Sequence, residues 1–349
     1  MSSIMLKYFL DSPTRNFQLS RIFLLHNPLL LRRTISCRII SDFRRLSPSQ
    51  LDAFIAQYLQ PDEQFHSQVS SALDVLCRYL QDKMRPHVGR FVKSGSMGKG
   101  TALKNSSDLD CILILNTIKD AVQLKANIRH YLAQIQSFLS VQPLRVQGWR
   151  FDIKRSTEYF LQFEMINIHV GKATKVDLLP TFDANVTNGQ ARLNLYQRME
   201  SYDESTRSYC SAAVAELQRE FIIQKPTKLK GLIRLVKHWA KTYLPSSTAS
   251  RRMPSSYLIE LVTIHCWEKV GSPSSFNTAS LFKDIMMAFY NHIQLNISWN
   301  RYYTLNQIPS PPTILDPANP YNNLYNEVNN WASVAQVASQ TLQMPAMQV

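Results

Sequence analysis

At 349 residues and 40.2 kDa, with 45% hydrophobic and 18% charged residues, the chain can fold as two lobes without disulfide or metal staples. That excludes a small stapled scaffold and a disordered polymer. A formal net charge of +14 and a pI near 9.6 make a polyanion, nucleic acid or nucleotide phosphate, the first partner class to consider, ahead of a membrane surface.

In chain order, residues 1–45 form a basic extension in which Lys7, Arg15, Arg21, Arg32, Arg33, Arg38, Arg44 and Arg45 face only Asp11 and Asp42. An Arg-rich, Ser-containing, acid-poor start fits an organelle transit peptide, and a solvated basic tail has the same composition. The longest apolar run, Ile22 to Leu31, is interrupted by His26, Asn27 and Pro28, so no membrane span is expected and a cytoplasmic location is the default. Organised sequence begins near Leu46. Apolar residues at Leu51, Phe54, Ile55, Tyr58 and Leu59, then at Val69, Ala72, Leu73, Leu76, Cys77 and Leu80, predict two helices, the second ending before Pro86. Strands are expected at Cys111 to Leu115, Phe151 to Lys154, Phe160 to Val170 and Lys175 to Leu179. Beyond about residue 190 the period returns to 3.6, at Leu229, Leu232, Ile233, Val236, Trp239, Ala240 and Tyr243, then at Leu258, Leu261, Val262 and His265. The proline-rich stretch from Leu305 predicts irregular chain with one terminal helix around Val328 to Ala338. The five cysteines are scattered and never spaced CxxC, so neither a disulfide framework nor a zinc ribbon is indicated and a reducing compartment fits.

Chemistry concentrates in the middle of the chain. Lys93-Ser-Gly-Ser-Met-Gly-Lys-Gly-Thr101 is a small-residue loop whose backbone amides and Lys99 suit phosphate, although its spacing is not that of a Walker loop. Alone, such a loop is more often a turn. Asp108 and Asp110 stand two apart at the start of a strand, on one face, and would repel without a cation such as Mg²⁺. Asp177 interrupts another apolar strand and needs a partner if buried. Three acids on adjacent strands beside a Gly/Ser loop suit two-metal nucleotidyl transfer. Farther on, Lys230, Arg234, Lys237 and Lys241 recur three or four residues apart, which predicts one basic stripe on the solvent face of a helix, usable as a triphosphate clamp.

Taken together, Leu51-Asp-Ala-Phe-Ile, Gly95-Ser-Met-Gly-Lys-Gly-Thr, Ser107-Asp-Leu-Asp, Val176-Asp-Leu-Leu-Pro-Thr-Phe-Asp-Ala, Pro226-Thr-Lys-Leu-Lys-Gly-Leu-Ile-Arg-Leu-Val-Lys-His-Trp and Ile314-Leu-Asp-Pro-Ala-Asn-Pro resemble the 2′-5′-oligoadenylate synthases, nucleotidyltransferases of the DNA polymerase β type. The resemblance runs from about Leu46 to Pro320. It implies an α+β, bilobal fold: a mixed-sheet catalytic lobe over residues 46–188, including the first helices, and a helical lobe over residues 189–349. It further implies ATP as substrate and two Mg²⁺ ions held by Asp108, Asp110 and Asp177. Ser96, Lys99, Arg234, Lys237 and Tyr257 would serve the nucleotide. Double-stranded RNA is the implied activator, with Lys93, Arg219 and Thr227 matching residues of the RNA face, and the protein would be a monomer or weak oligomer in an antiviral, innate-immune role.

The chain departs from the family at Ser256, where Gln is usual, and at Ile223 and Gln81, where lysines are common on the RNA face. No His/Cys zinc insertion of the kind found in cyclic GMP-AMP synthase is present. Two rival readings remain at this stage: a catalytically silent RNA-binding relative, and a synthase of a cyclic dinucleotide or 3′-5′ product, because the metals fix in-line chemistry but not which hydroxyl attacks.

Overall fold

The computed structural model describes residues 45–85, 87–104, 108–140, 148–169, 171, 173–305, 307 and 309–348. The basic extension up to residue 44 lies outside them. Helix α1, Leu51–Phe54, continues as a π-helical turn over Ile55–Leu59, and α2 follows at Glu63–Lys83. Strand β1 (Val88–Lys93), the short helix α3 (Gly95–Lys99), β2 (Asp108–Leu115) and α4 (Ala121–Ser140) come next, then β3 (Trp149–Ser156), β4 (Leu161–Asn167) and β5 (Ala173–Phe182). The sheet order is β1-β2-β5-β4-β3, with β2 and β5 parallel and the other neighbours antiparallel. This is the mixed sheet expected for the first lobe.

Strand alternation gives the sheet two different faces. Leu109, Cys111, Leu113 and Leu115 of β2, Val176 and Leu178 of β5, and Leu161, Phe163 and Met165 of β4 enter the main core. Ile112, Ile114 and Leu179 join a smaller cluster on the opposite face with Val92, Phe160 and Ala215. Asp110 and Asp177 share that second face by parity.

The remaining chain is mainly helical: α5 (Gly189–Ser201), α6 (Glu204–Ser208), α7 (Ala215–Ile223), α8 (Thr227–Tyr243), α9 (Ser256–Lys269), α10 (Thr278–Tyr290) and α11 (Trp331–Leu342), with a small sheet of β6 (Asn296–Ile297), β7 (Thr313–Asp316) and β8 (Asn319–Asn323). In α8 the predicted apolar face is buried, with Leu229, Leu232, Ile233, Val236 and Trp239 all inaccessible. Trp239 stacks on Phe289 of α10 with centroids 5.5 Å apart and donates to Thr341 of α11 at 2.8 Å. Although α1 precedes the sheet in the chain, it leans on this helical layer: Phe54 meets His238 of α8, and Lys228 pairs with Asp52 at 3.3 Å. At Gly231 the two segments approach so closely that a Cβ would stand 3.3 Å from Ile55.

Four elements differ from the sequence expectation. Helix α4 is absent from that reading, although Leu124, Ile128, Leu132, Ile135 and Leu139 recur at helical spacing and are buried. Strand β1 was hidden because its pairing with β2 shifts register between Val88 and Phe91, so only Val88 and Val92 are buried. The tail is not merely irregular before its helix: β7 and β8 form a hairpin there. Among the described residues no helix is long and apolar enough to cross a membrane.

Candidate active site

The sheet sets the acids by period and pairing. Asp110 faces Asp177 in the parallel register of β2 and β5, and Gln162 of β4 faces Asp177 in the antiparallel one, so the three form a row. Gln162 Nε2 donates to Asp177 Oδ1 at 2.8 Å, giving this buried acid the partner its burial requires. Asp108 opens β2 opposite Lys175; its side chain lies outside the described part of the structure. Among the described residues no three His, Cys, Asp or Glu side chains gather as a metal cluster. Asp110 and Asp177 nevertheless suit a hard cation, since carboxylates on strands about 4.8 Å apart at matched positions repel unless positive charge lies between them.

The loop between β1 and β2 wraps the row. Ser94 N–H donates to Asp110 O at 2.9 Å, and Gly95 adopts φ +63° where a Cβ would overlap the Asp110 carboxylate, so only glycine satisfies both the backbone and the space. Helix α3 ends at Gly100, φ +74°, and Ser96 and Lys99 line a cleft of ≈ 120 Å³ together with Asp110, Asp177, Gln162 and Tyr257.

The basic stripe of α8 is not the solvated face expected from its spacing. Arg234 is 7% and Lys237 3% exposed; of the four, Lys241 at the end is exposed, with Lys230 between. The reason is that this helix face packs on the chain following α3. Arg234 donates to Ala102 O at 2.9 Å and Gly100 O at 2.7 Å, and Lys237 Nζ to Thr101 Oγ1 at 3.1 Å. Glu260 of α9 completes the cluster, accepting from Lys99 at 3.1 Å and also from Lys237 and Thr101. Burial pushes the Glu260 carboxyl up, but Lys237 and Lys99 outweigh it and hold the group at about 2. Burial also lowers Lys237 and Arg234 from their ordinary values.

Tyr257 is almost wholly buried, with Lys99 Nζ 4.0 Å from its ring centroid and its hydroxyl donating to Asp316 Oδ1 at 2.9 Å. Asp316 is inaccessible and also accepts from Gln218 Nε2 at 2.6 Å and Ala318 N at 2.9 Å. Burial raises its carboxyl despite these donors. Ser256, the first residue of α9, stands in the wall between the cleft and a second hollow of ≈ 320 Å³ that shares Lys237 and Lys241 with it.

Lys93 ends β1 just before the α3 loop, and Arg219 lies on α7. Lys93 Nζ reaches Ser70 Oγ at 2.7 Å and Asp74 at 3.5 Å, while Arg219 Nε donates to Gly98 O at 3.1 Å. A Cβ at Gly98 would run into the Lys93 carbonyl and lie 3.5 Å from Arg219 Cδ. Thr227 is exposed at the start of α8. Gln81 is turned to the Gly89 carbonyl at 3.0 Å, and the Ile223 carbonyl accepts from Lys230.

Sequence reasoning missed Gln162, Glu260 and Asp316. The signal for Glu260 was available: it is a lone acid in the apolar run Tyr257 to Ile264, the same interruption that marks Asp177. Gln162 carried no such mark.

Residues 188–349 match the family described as 2′-5′-oligoadenylate synthetase 1, domain 2, C-terminus. The 2′-5′-oligoadenylate synthase 1A of Rattus norvegicus is 33% identical over 330 residues, which is 86% of this chain and 91% of that protein. The chain belongs to the 2′-5′-oligoadenylate synthase family. It covers only 41% of the rat 2′-5′-oligoadenylate synthase 2, to which it is 32% identical over 79% of its own length. The family also includes a rat protein named inactive 2′-5′-oligoadenylate synthase 1B, 31% identical over 87% of this chain and 86% of that one. Among solved structures, E. coli MS115-1 CdnC with ATP matches with TM-score 0.53 and 18% identity over 83% of this chain and 88% of that chain. The mtPAP complex with GTP matches with TM-score 0.55 and 12% identity over 84% and 66%. The synthase-family chain thus has the nucleotidyltransferase fold, a mixed-sheet lobe beside a helical one.

Proposed function

We propose that this family member polymerises ATP into 2′-5′-linked oligoadenylates with release of pyrophosphate. One observation supports it above the others: Asp110 and Asp177 are in register on neighbouring strands and line one cleft with Lys99 and Lys237. Asp108, Asp110 and Asp177 would hold Mg²⁺, which when bound supplies Lewis-acid stabilisation of the phosphoryl oxygens. Asp177, oriented by Gln162, accepts the proton of the attacking 2′-hydroxyl as its oxygen bonds to the α-phosphorus and the bond to the β-phosphate breaks. Lys99 and Lys237 balance charge on the triphosphate and the departing pyrophosphate, while Arg234 fixes the loop behind them. Ser96 and Tyr257 contribute the remaining nucleotide contacts.

Double-stranded RNA is the proposed activator. Arg219 donates to the Gly98 carbonyl, three residues after Gly95, and Lys93 leads from β1 into the same loop with its own carbonyl against Gly98, so a phosphate backbone bound by these cations would act on the loop that frames the acids. An antiviral role in the cytoplasm follows from that trigger. The relative named inactive makes a silent RNA-binding protein the second reading. Purified protein incubated with ATP and Mg²⁺, with and without a long RNA duplex, tests both. Mass spectrometry and linkage-selective nucleases should show 2′-5′ oligomers. A cyclic or 3′-5′ product would redirect the assignment, and duplex binding without any product would establish the silent alternative.

A further inference from the structure

Two buried ammonium groups in the cleft already have an anion between them. Lys99 comes from α3, Lys237 from α8 and the shared carboxylate, Glu260, from α9; side-chain exposures are 4%, 3% and 1%. Thr101 and the backbone take the remaining polar contacts of Lys237 and Glu260. One carboxylate against two ammonium groups leaves a single positive excess. Burial favours the neutral form of Lys237, and the Glu260 carboxylate opposes it, while the same carboxylate bonds Lys99.

That arrangement has a consequence of opposite sign for an incoming nucleotide. A triphosphate that uses Lys99 and Lys237 must share them with an ionised carboxylate, and in a poorly solvated cleft like charges a few ångströms apart repel strongly. We propose that Glu260 is a positioning residue for the nucleotide, an internal counter-anion that holds Lys99 and Lys237 in the cleft and competes with the triphosphate for them. This rests on reading the cleft as a nucleotidyl-transfer site. In this reading Glu260 acts through the lysines it bonds. It also joins the lobes, because Lys99 and Thr101 belong to the sheet side and Lys237 and Glu260 to the helical side.

Removing the charge should therefore lower stability and raise affinity together, whereas a merely structural residue would lower both. Glu260→Gln keeps the shape, leaves two buried ammonium groups without their anion and removes the competitor. The probe is inorganic tripolyphosphate, titrated into the full chain by calorimetry, with thermal unfolding measured alongside. For Glu260→Gln we expect a lower Tm, a Kd tighter on the order of tenfold, and a larger Tm rise at saturating tripolyphosphate than in the wild type. Glu260→Asp keeps the charge but is one methylene shorter and cannot span both lysines, so its affinity should fall between the two.

Equal or weaker binding by folded Glu260→Gln or Glu260→Asp would overturn the proposal, as would no binding of tripolyphosphate to any form. If Glu260→Gln does not fold alone, millimolar tripolyphosphate should restore its helical circular dichroism, and absence of rescue also overturns it. The readout needs no polymerisation. Tighter binding with no oligoadenylate from the wild type defeats the proposed function and leaves Glu260 in its role; oligoadenylate from the wild type with weaker binding by the variants does the reverse.

Discussion

The acidic and the cationic halves of the cleft are built in different ways. Asp110 and Asp177 are placed by a strand period of two and one register between β2 and β5, and Gln162 of the neighbouring strand donates to Asp177. Lys99, Arg234 and Lys237 are buried between lobes and bonded to Glu260, Thr101 and the carbonyls of residues 100–102. The acids belong to a rigid element that would persist without them, whereas the cations are part of the joint that holds two elements together. Activity and stability should therefore separate on the acidic side and fall together on the cationic side.

The largest effect is expected at Asp110. Asp110→Ala removes one carboxylate from the proposed metal site, and the lost transition-state charge stabilisation, several kcal/mol, corresponds to roughly a thousandfold in rate. Product formation from ATP should become undetectable while the thermal unfolding midpoint stays near that of the wild type. Substantial turnover in the folded variant would remove the two-metal reading; a large fall in midpoint would erase the contrast between the halves. Lys237→Ala tests the other half. It leaves Glu260 with Lys99 as its one buried cation, and breaking a buried pair costs roughly 3–5 kcal/mol. Both stability and the use of ATP should drop. A cation with no role in the fold, as the helix spacing first suggested, would leave the midpoint unchanged.

This difference also explains what was legible in the sequence. The alignment of Asp110 with Asp177 was legible because period-two geometry and one interrupted apolar run are local properties of β2 and β5. The spacing of Lys230, Arg234, Lys237 and Lys241 was read correctly as one face of α8, but spacing does not say what that face meets. Its burial depends on residues 100–102 arriving more than a hundred positions away in sequence. Tyr257 shows the same limit: the residue type was noted, while the Asp316 carboxylate that fixes its hydroxyl lies in the hairpin of a tail read as irregular. Helix α4 was a different kind of miss, because its periodicity was present and simply sat outside the chemistry-bearing motifs.

A smaller effect is expected where the acidic half does depend on a neighbour. Gln162→Leu removes the donor to Asp177 Oδ1 without removing a charge from the cleft. A hydrogen bond to a charged group contributes roughly 1.5–3 kcal/mol, part of which water replaces at the cleft, so kcat should fall by about tenfold. KM for ATP should change little, because Gln162 faces Asp177 rather than the cations. A selective rise in KM would move Gln162 from the acid row to nucleotide binding.

The smallest change is expected at Lys93, on the proposed RNA face. Lys93 is half-buried and already paired with Asp74 at 3.5 Å and Ser70 at 2.7 Å, so only part of its charge is available to a phosphate. Each cation that neutralises a phosphate of duplex nucleic acid adds about 0.9 to the slope of log affinity against log salt. Lys93→Glu should therefore lower that slope by less than about 0.9 and weaken duplex binding uniformly across sequences, as expected for recognition by shape and backbone. The introduced carboxylate would also stand beside Asp74, which loosens the contact between α2 and β1. ATP conversion measured at two salt concentrations, against duplex concentration, separates the outcomes: a right-shifted activation curve with unchanged maximum places the duplex at this face. A lowered maximum with unchanged midpoint would mean that Lys93 acts through the loop holding Gly95 and Asp110 rather than by touching RNA. If wild type and variant convert ATP equally with and without duplex, the RNA arm of the function falls while the chemistry assigned to Asp110 and Asp177 stands untouched.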